Sequence, residues 1–262
     1  MNTKEIKKLY TTTQNEIINR LIDLDVTGKK HIVRWKHKQG GGGRSCEIIG
    51  KRYIEKAAVN FSSITGKELP TSALEKTGIK GLKSFNATGV SVIVHPWNPK
   101  IPCSHMNIRF FEANIGSKNV WWFGGGFDLT PYFITEKDVL FWKNSAKGLC
   151  DKFNKNFYKE YNNTCNNYFY LSHRNEPRGI GGIFYDQLNK LDYAKCKTFL
   201  CSVLTHLLIH TRLSLIRKSS QNLRRKKEHF NFIEEGDTLN SIYFMIGAHY
   251  LDCSQGVGLN QY

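Results

Sequence analysis

Three short runs of β-branched and aromatic residues between positions 88 and 123 constrain the fold more than any other feature of the sequence. They read GVSVIVH, SHMNIRFFEA and VWWFGG, and Pro, Asn, Gly and Ser residues separate them. Such runs are typical of β-strands bounded by turns. The connections are too short for the crossovers that parallel neighbours need, so the pattern predicts antiparallel pairing.

Helical periodicity surrounds this strand region on both sides. Residues 4–24 place apolar side chains at helical spacing before Gly28, a typical stop signal, and the same spacing returns over residues 136–161 and 190–215. The chain of 262 residues contains no internal repeat and no long linker. We therefore predict one α+β domain, in which helices cover a broad antiparallel sheet.

The strand at residues 104–110 separates two kinds of side chain. Alternation places His105, Asn107 and Arg109 on one face and the apolar residues between them on the other. We predict that the apolar face packs into the core and that the polar face binds a ligand. Arg109 and Asn107 together offer a carboxylate a guanidinium fork and an amide donor, although a surface salt bridge is the alternative.

Two glycine runs are candidates for close contact with a ligand. Residues 40–45 read GGGGRS, which fits either a loop whose bare backbone approaches an anion or a flexible surface loop. Residues 124–126 form a glycine triplet after the aromatic sequence WWF, where a ligand or a tight bend is expected. Asp128 follows this triplet and is either a helix N-cap or a carboxylate that faces a cleft.

A third segment, residues 173–182, reads HRNEPRGIGG and precedes the apolar sequence IFY. Its arginines and permissive glycines predict a functional loop beside a buried strand. His173, together with His95 and His105, offers three imidazoles to a divalent metal ion if the fold brings them together. Three histidines without a carboxylate leave both a metal site and separate roles open.

Composition narrows the class of function. The seven cysteines form no C-x-x-C pair, which argues against a disulfide framework and a cysteine-based zinc site. We expect a cytoplasmic protein, because the sequence shows neither a membrane span nor the apolar core of a signal peptide. The net charge of +16 fits an anionic partner. No nucleic-acid-binding motif accompanies the basic run at residues 224–227, so a nucleic acid is not the expected partner.

Six segments of the chain are recognisable together. They read GGGGRS, AVNFS (58–62), GVSVIVHPWNP (89–99), SHMNIRFFEA, WWFGGGFDLTPYF and YFYLSHRNEPRGIGGIFYDQLN (168–189). In this order and at this spacing they closely resemble the oxygen-dependent coproporphyrinogen III oxidases, over roughly residues 15–215. The combination of HRNEPRGIGGIF with WFGGGFDLTP is specific to that family.

The resemblance implies a fold, a substrate and an assembly. The implied fold is a broad antiparallel sheet between helical layers, in a homodimer whose subunits each hold a porphyrinogen in a deep cleft. The implied reaction is oxidative decarboxylation of coproporphyrinogen III, in which two of its four propionates become the vinyl groups of protoporphyrinogen IX. The pathway implied is haem biosynthesis.

The resemblance also implies residue roles. The positions that match propionate-binding residues are Ser91, Asn107, Arg109 and Arg178. Asp128 matches the carboxylate that contacts the pyrrole nitrogens and accepts a proton from one of them. His105 matches the histidine assigned as a proton donor.

No flavin, haem or nicotinamide is expected, because the electron-rich porphyrinogen can itself react with dioxygen, the implied co-substrate. Oxygen would add to the activated ring, and the resulting peroxide would remove a propionate β-hydrogen as carbon dioxide leaves. The resemblance leaves open whether the chain binds a divalent metal ion. Three of the family's four histidine positions match His95, His105 and His173, but the fourth is Lys143, whose ammonium group cannot coordinate a metal.

The end of the chain departs from the family pattern. Residues 1–225 fit a single oxidase domain, whereas residues 226–262 lack the expected Asp-Arg-Gly-Thr and Gly-Gly-Arg motifs. Codons permitted for residues 229–262, read two nucleotides later, can encode a tail that resembles the family's, which predicts a frame change near residues 217–228. The chain is then either an oxidase or a catalytically dead porphyrin-binding remnant of one.

Overall fold

The computed structural model describes residues 3–69 and 80–219, with side chains up to residue 206. The helices in these ranges are α1 (Thr3–Leu24), α2 (Glu136–Asp151), α3 (Phe157–Tyr168) and α4 (Tyr193–Ser219). The strands are β1 (Lys29–Lys36), β2 (Gly41–Ile49), β3 (Ile54–Gly66), β4 (Leu82–Pro96), β5 (Cys103–Ile115), β6 (Lys118–Thr130), β7 (Tyr170–Leu171), β8 (Glu176–Pro177) and β9 (Gly182–Leu188). None of the helices described is long and apolar enough to cross a membrane. The tail at 226–262, with its predicted frame change, lies outside the described residues.

Seven of the strands form one antiparallel sheet, in the order β1-β2-β3-β4-β5-β6-β9. Strands β1 to β6 are neighbours in the order in which they occur along the chain. Strand β9 returns after α2 and α3 and pairs with β6, while β7 and β8 form a separate short ladder. The predicted α+β fold with a broad antiparallel sheet is therefore confirmed.

One face of the sheet forms the hydrophobic core together with apolar residues of all four helices. On β5, this face carries Met106, Ile108 and Phe110, each 1% exposed. The alternation predicted for residues 104–110 is confirmed on this side of the strand. The other side of the strand carries His105, Asn107 and Arg109.

The opposite face of the sheet is apolar at one end of β5 and polar at the other. At one end, Phe111 of β5 stacks on Trp122 of β6 with ring centroids 4.3 Å apart, within a second apolar cluster. From Arg109 back to His105, the same face is polar. The candidate site occupies this polar part.

The helical region predicted at residues 136–161 is two helices rather than one. At the end of α2, the N–H groups of Phe153 and Asn154 both donate to the Cys150 carbonyl oxygen. The side chain of Asn154 then accepts a hydrogen bond of 2.9 Å from the Asn156 N–H. Such local asparagine turns compete with helical hydrogen bonds, which accounts for the break.

The glycine-rich segment at residues 40–45 is not a loop, and both loop interpretations are wrong. From residue 41 onward it belongs to β2 and pairs with β1 on one side and β3 on the other. Arg44 donates a hydrogen bond of 2.8 Å from Nε to Oε1 of Gln14 in α1, so its guanidinium is used within the fold. A Cβ on Gly43 would lie 2.4 Å from the Trp35 ring, so the missing side chain makes room for an indole.

Candidate active site

Adjacent strands place several predicted ligand-binding residues side by side. Ser91 of β4 lies opposite Asn107 of β5, which in turn lies opposite Gly126 of β6. Ser91 and Asn107 are buried, at 3% and 5% exposure. Asn60 of β3 extends this row opposite Ser91. Asn60 belongs to the AVNFS segment of the family resemblance, but only the strand register shows that it lies opposite Ser91.

Asp128 is a buried carboxylate with two partners. It lies opposite His105 across the β5–β6 pair, and the Nδ1 atom of His105 is 2.8 Å from its Oδ1. Its Oδ2 accepts a hydrogen bond of 2.6 Å from Nε of Arg178, and Nη2 of the same guanidinium forms an ion pair with this oxygen at 2.5 Å. The helix-cap interpretation of Asp128 is wrong, because the residue lies within β6 and Thr135 is the N-cap of α2.

The charge state of Asp128 follows from these contacts. Burial by itself would raise the pKa of Asp128, but the Arg178 guanidinium and the His105 ring offset this and hold the pKa below its usual value. The carboxylate is therefore ionised at neutral pH. It accepts hydrogen bonds readily but is a weak base.

Arg109 is held on three sides. Its Nη2 is 3.2 Å from Oδ1 of Asp186, its Nη1 donates to Oδ1 of Asn107 at 3.4 Å, and its guanidinium carbon is 5.3 Å from the centroid of the Phe184 ring. The side chains of Arg109 and Asp186 are only 14% and 15% exposed. Arg109 and Asn107 lie side by side, as the alternation predicted, and Arg109 also forms the salt bridge of the alternative interpretation, with a largely buried partner rather than at the open surface.

These polar groups lie around one pocket. Its polar lining includes His105, Asn107, Arg109 and Asp128, and its aromatic side chains are those of Tyr168, Phe169 and Phe184. Two predicted propionate-binding residues, Ser91 and Arg178, do not belong to the lining of this pocket. Ser91 is the strand neighbour of Asn107, and Arg178 acts on the pocket through Asp128.

The aromatic wall also positions the arginines. The guanidinium carbon of Arg178 lies 4.1 Å from the centroid of the Phe169 ring, a favourable cation–π geometry. Tyr168 stacks on Phe184 with ring centroids 4.1 Å apart. The aromatic residues were visible in the sequence segment 168–189, but their direction depends on the end of α3 and on the alternation of β9.

The two arginines of the loop before β9 have different surroundings. Arg174 is exposed and lies 3.7 Å from Glu176, whereas Arg178 turns inward to Asp128. Gly179 and Gly181 have φ values of 62° and 77°, the left-handed region that glycine adopts without strain. The prediction of a loop with permissive glycines beside a buried strand is confirmed for this segment.

The histidines proposed as metal ligands do not form a ligand set. The rings of His95 and His105 lie edge to face with centroids 6.1 Å apart, and Nδ1 of His105 already contacts Asp128. His173 is exposed in a turn, and Lys143 is exposed on α2. Across residues 3–69 and 80–206, no three His, Cys, Asp or Glu side chains are grouped so that they could hold a metal ion. The residues present thus do not fit a divalent metal, and no step below uses one.

The fold and site together define an α+β protein with a pocket that combines a buried carboxylate, arginine donors and aromatic walls. A family model described as coproporphyrinogen III oxidase matches residues 5–240. This chain belongs to the coproporphyrinogen III oxidase family. The match covers the whole sheet and every predicted site residue.

Family membership supplies the coarse function. It places the chain among oxidoreductases of porphyrin and haem biosynthesis, with coproporphyrinogen III as the substrate. It is also consistent with the expectation that no organic cofactor takes part.

Proposed function

We propose that this chain catalyses the oxygen-dependent conversion of coproporphyrinogen III to protoporphyrinogen IX. The observation that carries the proposal is Asp128, an ionised carboxylate that is 1% exposed and lines the same pocket as Arg109. A porphyrinogen presents pyrrole N–H donors at its centre and carboxylates at its rim. The pocket offers an acceptor for the first group and a cation for the second.

Arg109 and Asn107 are the proposed anchor for a propionate. Both line the pocket, and their contact within 3.4 Å aligns a guanidinium with an amide. Charge-assisted hydrogen bonds from arginine to a carboxylate are among the stronger polar interactions in proteins. Ser91 would support this anchor as the strand neighbour of Asn107, and Arg178 would support Asp128.

Asp128 and His105 are the proposed acid–base pair. Because the pKa of Asp128 is lowered, the carboxylate is better suited to orient and polarise a pyrrole N–H than to keep its proton. If Nδ1 of His105 donates to Oδ1 of Asp128, Nε2 of the ring is the acceptor that can take a proton and return it. This assignment moves the proton-accepting role from Asp128, where the resemblance had suggested it, to His105.

The redox balance requires an electron acceptor. Each propionate loses carbon dioxide, one β-hydrogen as a proton and two electrons as the vinyl group forms. Dioxygen, the proposed co-substrate, accepts the two electrons together with two protons and becomes hydrogen peroxide. The chain's own contribution is to bind the carboxylates, orient the pyrroles, move the proton and exclude water with its aromatic wall.

The assembly implied by the family resemblance and the compartment expected from the sequence are part of the proposal. We propose a homodimer that acts in the cytoplasm. Analytical ultracentrifugation of the purified chain tests the first statement, and a mass equal to one subunit would contradict it. Fractionation of the source cells tests the second.

The central experiment supplies coproporphyrinogen III in air and under nitrogen, and measures protoporphyrin fluorescence and oxygen uptake. We expect product only in air, with oxygen consumed in step. Product under nitrogen would contradict the oxygen dependence. Binding of coproporphyrin without turnover in air would instead favour the catalytically dead remnant, the alternative that follows if the tail at 226–262 is out of frame. Sequencing of the gene around codons 217–228 tests that frame change directly.

A further inference from the structure

Strand β9 contains an extra residue beside the pocket. Its pairing with β6 shifts between Phe123 and Gly125, so that Asp186 and Gln187 together face Gly124. Gln187 has a φ of 52°, in the left-handed region that non-glycine residues rarely adopt. This arrangement is a β-bulge, and bulges near active sites commonly redirect a side chain. The redirected side chain here is Asp186, which reaches Arg109.

Gly124 is the position that Arg109 crosses to reach Asp186. Arg109 and Gly124 are direct partners across the β5–β6 pair. A Cβ at position 124 would lie 2.5 Å from Nε of Arg109 and 3.0 Å from Oδ1 of Asp186. The absent side chain therefore leaves space for the ion pair. This accounts for one glycine of the triplet without a tight bend or a direct ligand contact.

Asp186 is placed behind Arg109 with respect to the pocket. Among the described residues, the pocket lining includes Arg109 but not Asp186. The Asp186 carboxylate lies 3.2 Å from Nη2 of Arg109 and also accepts a hydrogen bond of 3.1 Å from the Gln187 N–H. The bulge thus holds the carboxylate, and the carboxylate holds the guanidinium.

We propose that Asp186 is a positioning residue that sets both the direction of the Arg109 guanidinium and its net charge toward a ligand carboxylate. The inference rests on the proposed function, in which Arg109 binds a propionate. Two opposite consequences follow from one carboxylate. It restricts the motion of the guanidinium, which favours turnover, and its negative charge repels the ligand's carboxylate, which lowers affinity.

The test compares binding of two stable probes by the full-length chain. Coproporphyrin III carries free carboxylates, and its tetramethyl ester carries none. For Asp186→Asn we expect the Kd of the acid to fall by about 5–10-fold, because a repelling charge is removed near the binding cation, while the Kd of the ester is unchanged. We expect kcat with coproporphyrinogen III to fall by roughly 10-fold, because the guanidinium is no longer held in place.

Two further variants separate charge from position. Asp186→Glu keeps the charge but not the geometry, so its Kd for the acid should remain within about 2-fold of the wild type while kcat falls. Asp192→Asn removes the same charge from a side chain that is 55% exposed, and it should change neither quantity.

If the Kd of Asp186→Asn for the acid, measured per folded molecule, is unchanged or higher than that of the wild type, the proposed role of Asp186 is overturned. An unchanged kcat in both Asp186 variants would overturn it as well. Failure of the wild-type chain to turn over would count against the proposed function, while the binding comparison would still decide the role of Asp186. Failure of the wild-type chain to bind the acid would overturn both.

Discussion

The two faces of strand β5 are both buried, but for opposite physical reasons. The apolar face is buried because removal of its side chains from water is itself favourable. Burial of the polar face is unfavourable unless each polar group finds a hydrogen-bonding or charged partner. The polar face finds these partners in Asp128 for His105 and in Asp186 for Arg109. Alternate residues of one strand therefore serve stability and chemistry, and substitutions on the two faces should have separable effects.

The largest effect should come from the apolar face. Phe110 is 1% exposed, and its ring centroid is 5.0 Å from that of Phe123. We expect Phe110→Ala to lower the free energy of unfolding by about 3–5 kcal/mol, through lost apolar burial and the cavity that remains. Urea denaturation measures this loss. Affinity for coproporphyrin per folded molecule should hardly change, and a large change in affinity would show that the two faces are not separable.

The next effect should come from the polar face at Asp128. We expect Asp128→Asn to lower kcat by about 100–1,000-fold, because the ion pair with Arg178 and the negative charge beside His105 are both lost. Unfolding free energy should fall by only about 1–3 kcal/mol, since the amide keeps the shape and part of the hydrogen bonding. Steady-state kinetics and urea denaturation on the same preparation check both numbers. A variant that is strongly destabilised but fully active per folded molecule would mean that Asp128 serves the fold alone.

A smaller effect is expected at Arg109. Arg109→Ala should weaken binding of coproporphyrin III by about 1.5–3 kcal/mol, or roughly 10–150-fold in Kd, because it removes a charge-assisted hydrogen bond. Fluorescence titration measures this change. Arg174→Ala is the matched control, because it removes an arginine whose side chain is 60% exposed. Equal losses in the two variants would point to general charge rather than to the pocket.

The smallest expected effect is a pH dependence of the stability that Asp128 contributes, which distinguishes the polar face of β5 from the apolar face. The pKa of Asp128 in the folded chain lies below its unfolded value, so its contribution to stability is fully present above the unfolded pKa of about 3.9. That contribution is lost as the pH falls through the lower folded pKa. The difference in unfolding free energy between wild type and Asp128→Asn should stay constant from about pH 5 to 8 and shrink below about pH 4. A difference that already disappears near neutral pH would assign the effect to another group. The same experiment on Phe110→Ala should show no such trend.

Local patterns predicted the parts of the molecule that depend on neighbouring residues. Alternation at residues 104–110 was sufficient to assign opposite faces to His105 and Met106, because strand geometry sends successive side chains to opposite sides. The choice for Asp128 between a cap and a cleft stayed open, because both are compatible with the same local sequence. The loop expected for GGGGRS was wrong, because a glycine run suggests a loop, whereas the pairing with β1 and β3 that makes it a strand is not visible in the glycines themselves.

By itself, the sequence determined the antiparallel class of the sheet, the face on which each residue of β5 lies and the chemical groups available for a carboxylate-bearing ligand. These features follow from short-range patterns, namely the alternation of side chains along a strand and the turn residues between strands. Only the tertiary structure decided that Asp128 pairs with Arg178, 50 residues away in the chain, and that a bulge in β9 turns Asp186 toward Arg109. The physical reason is that strand register and bulges are set by hydrogen bonding and packing between distant segments, and a shift of one residue would send each of these side chains to the other face.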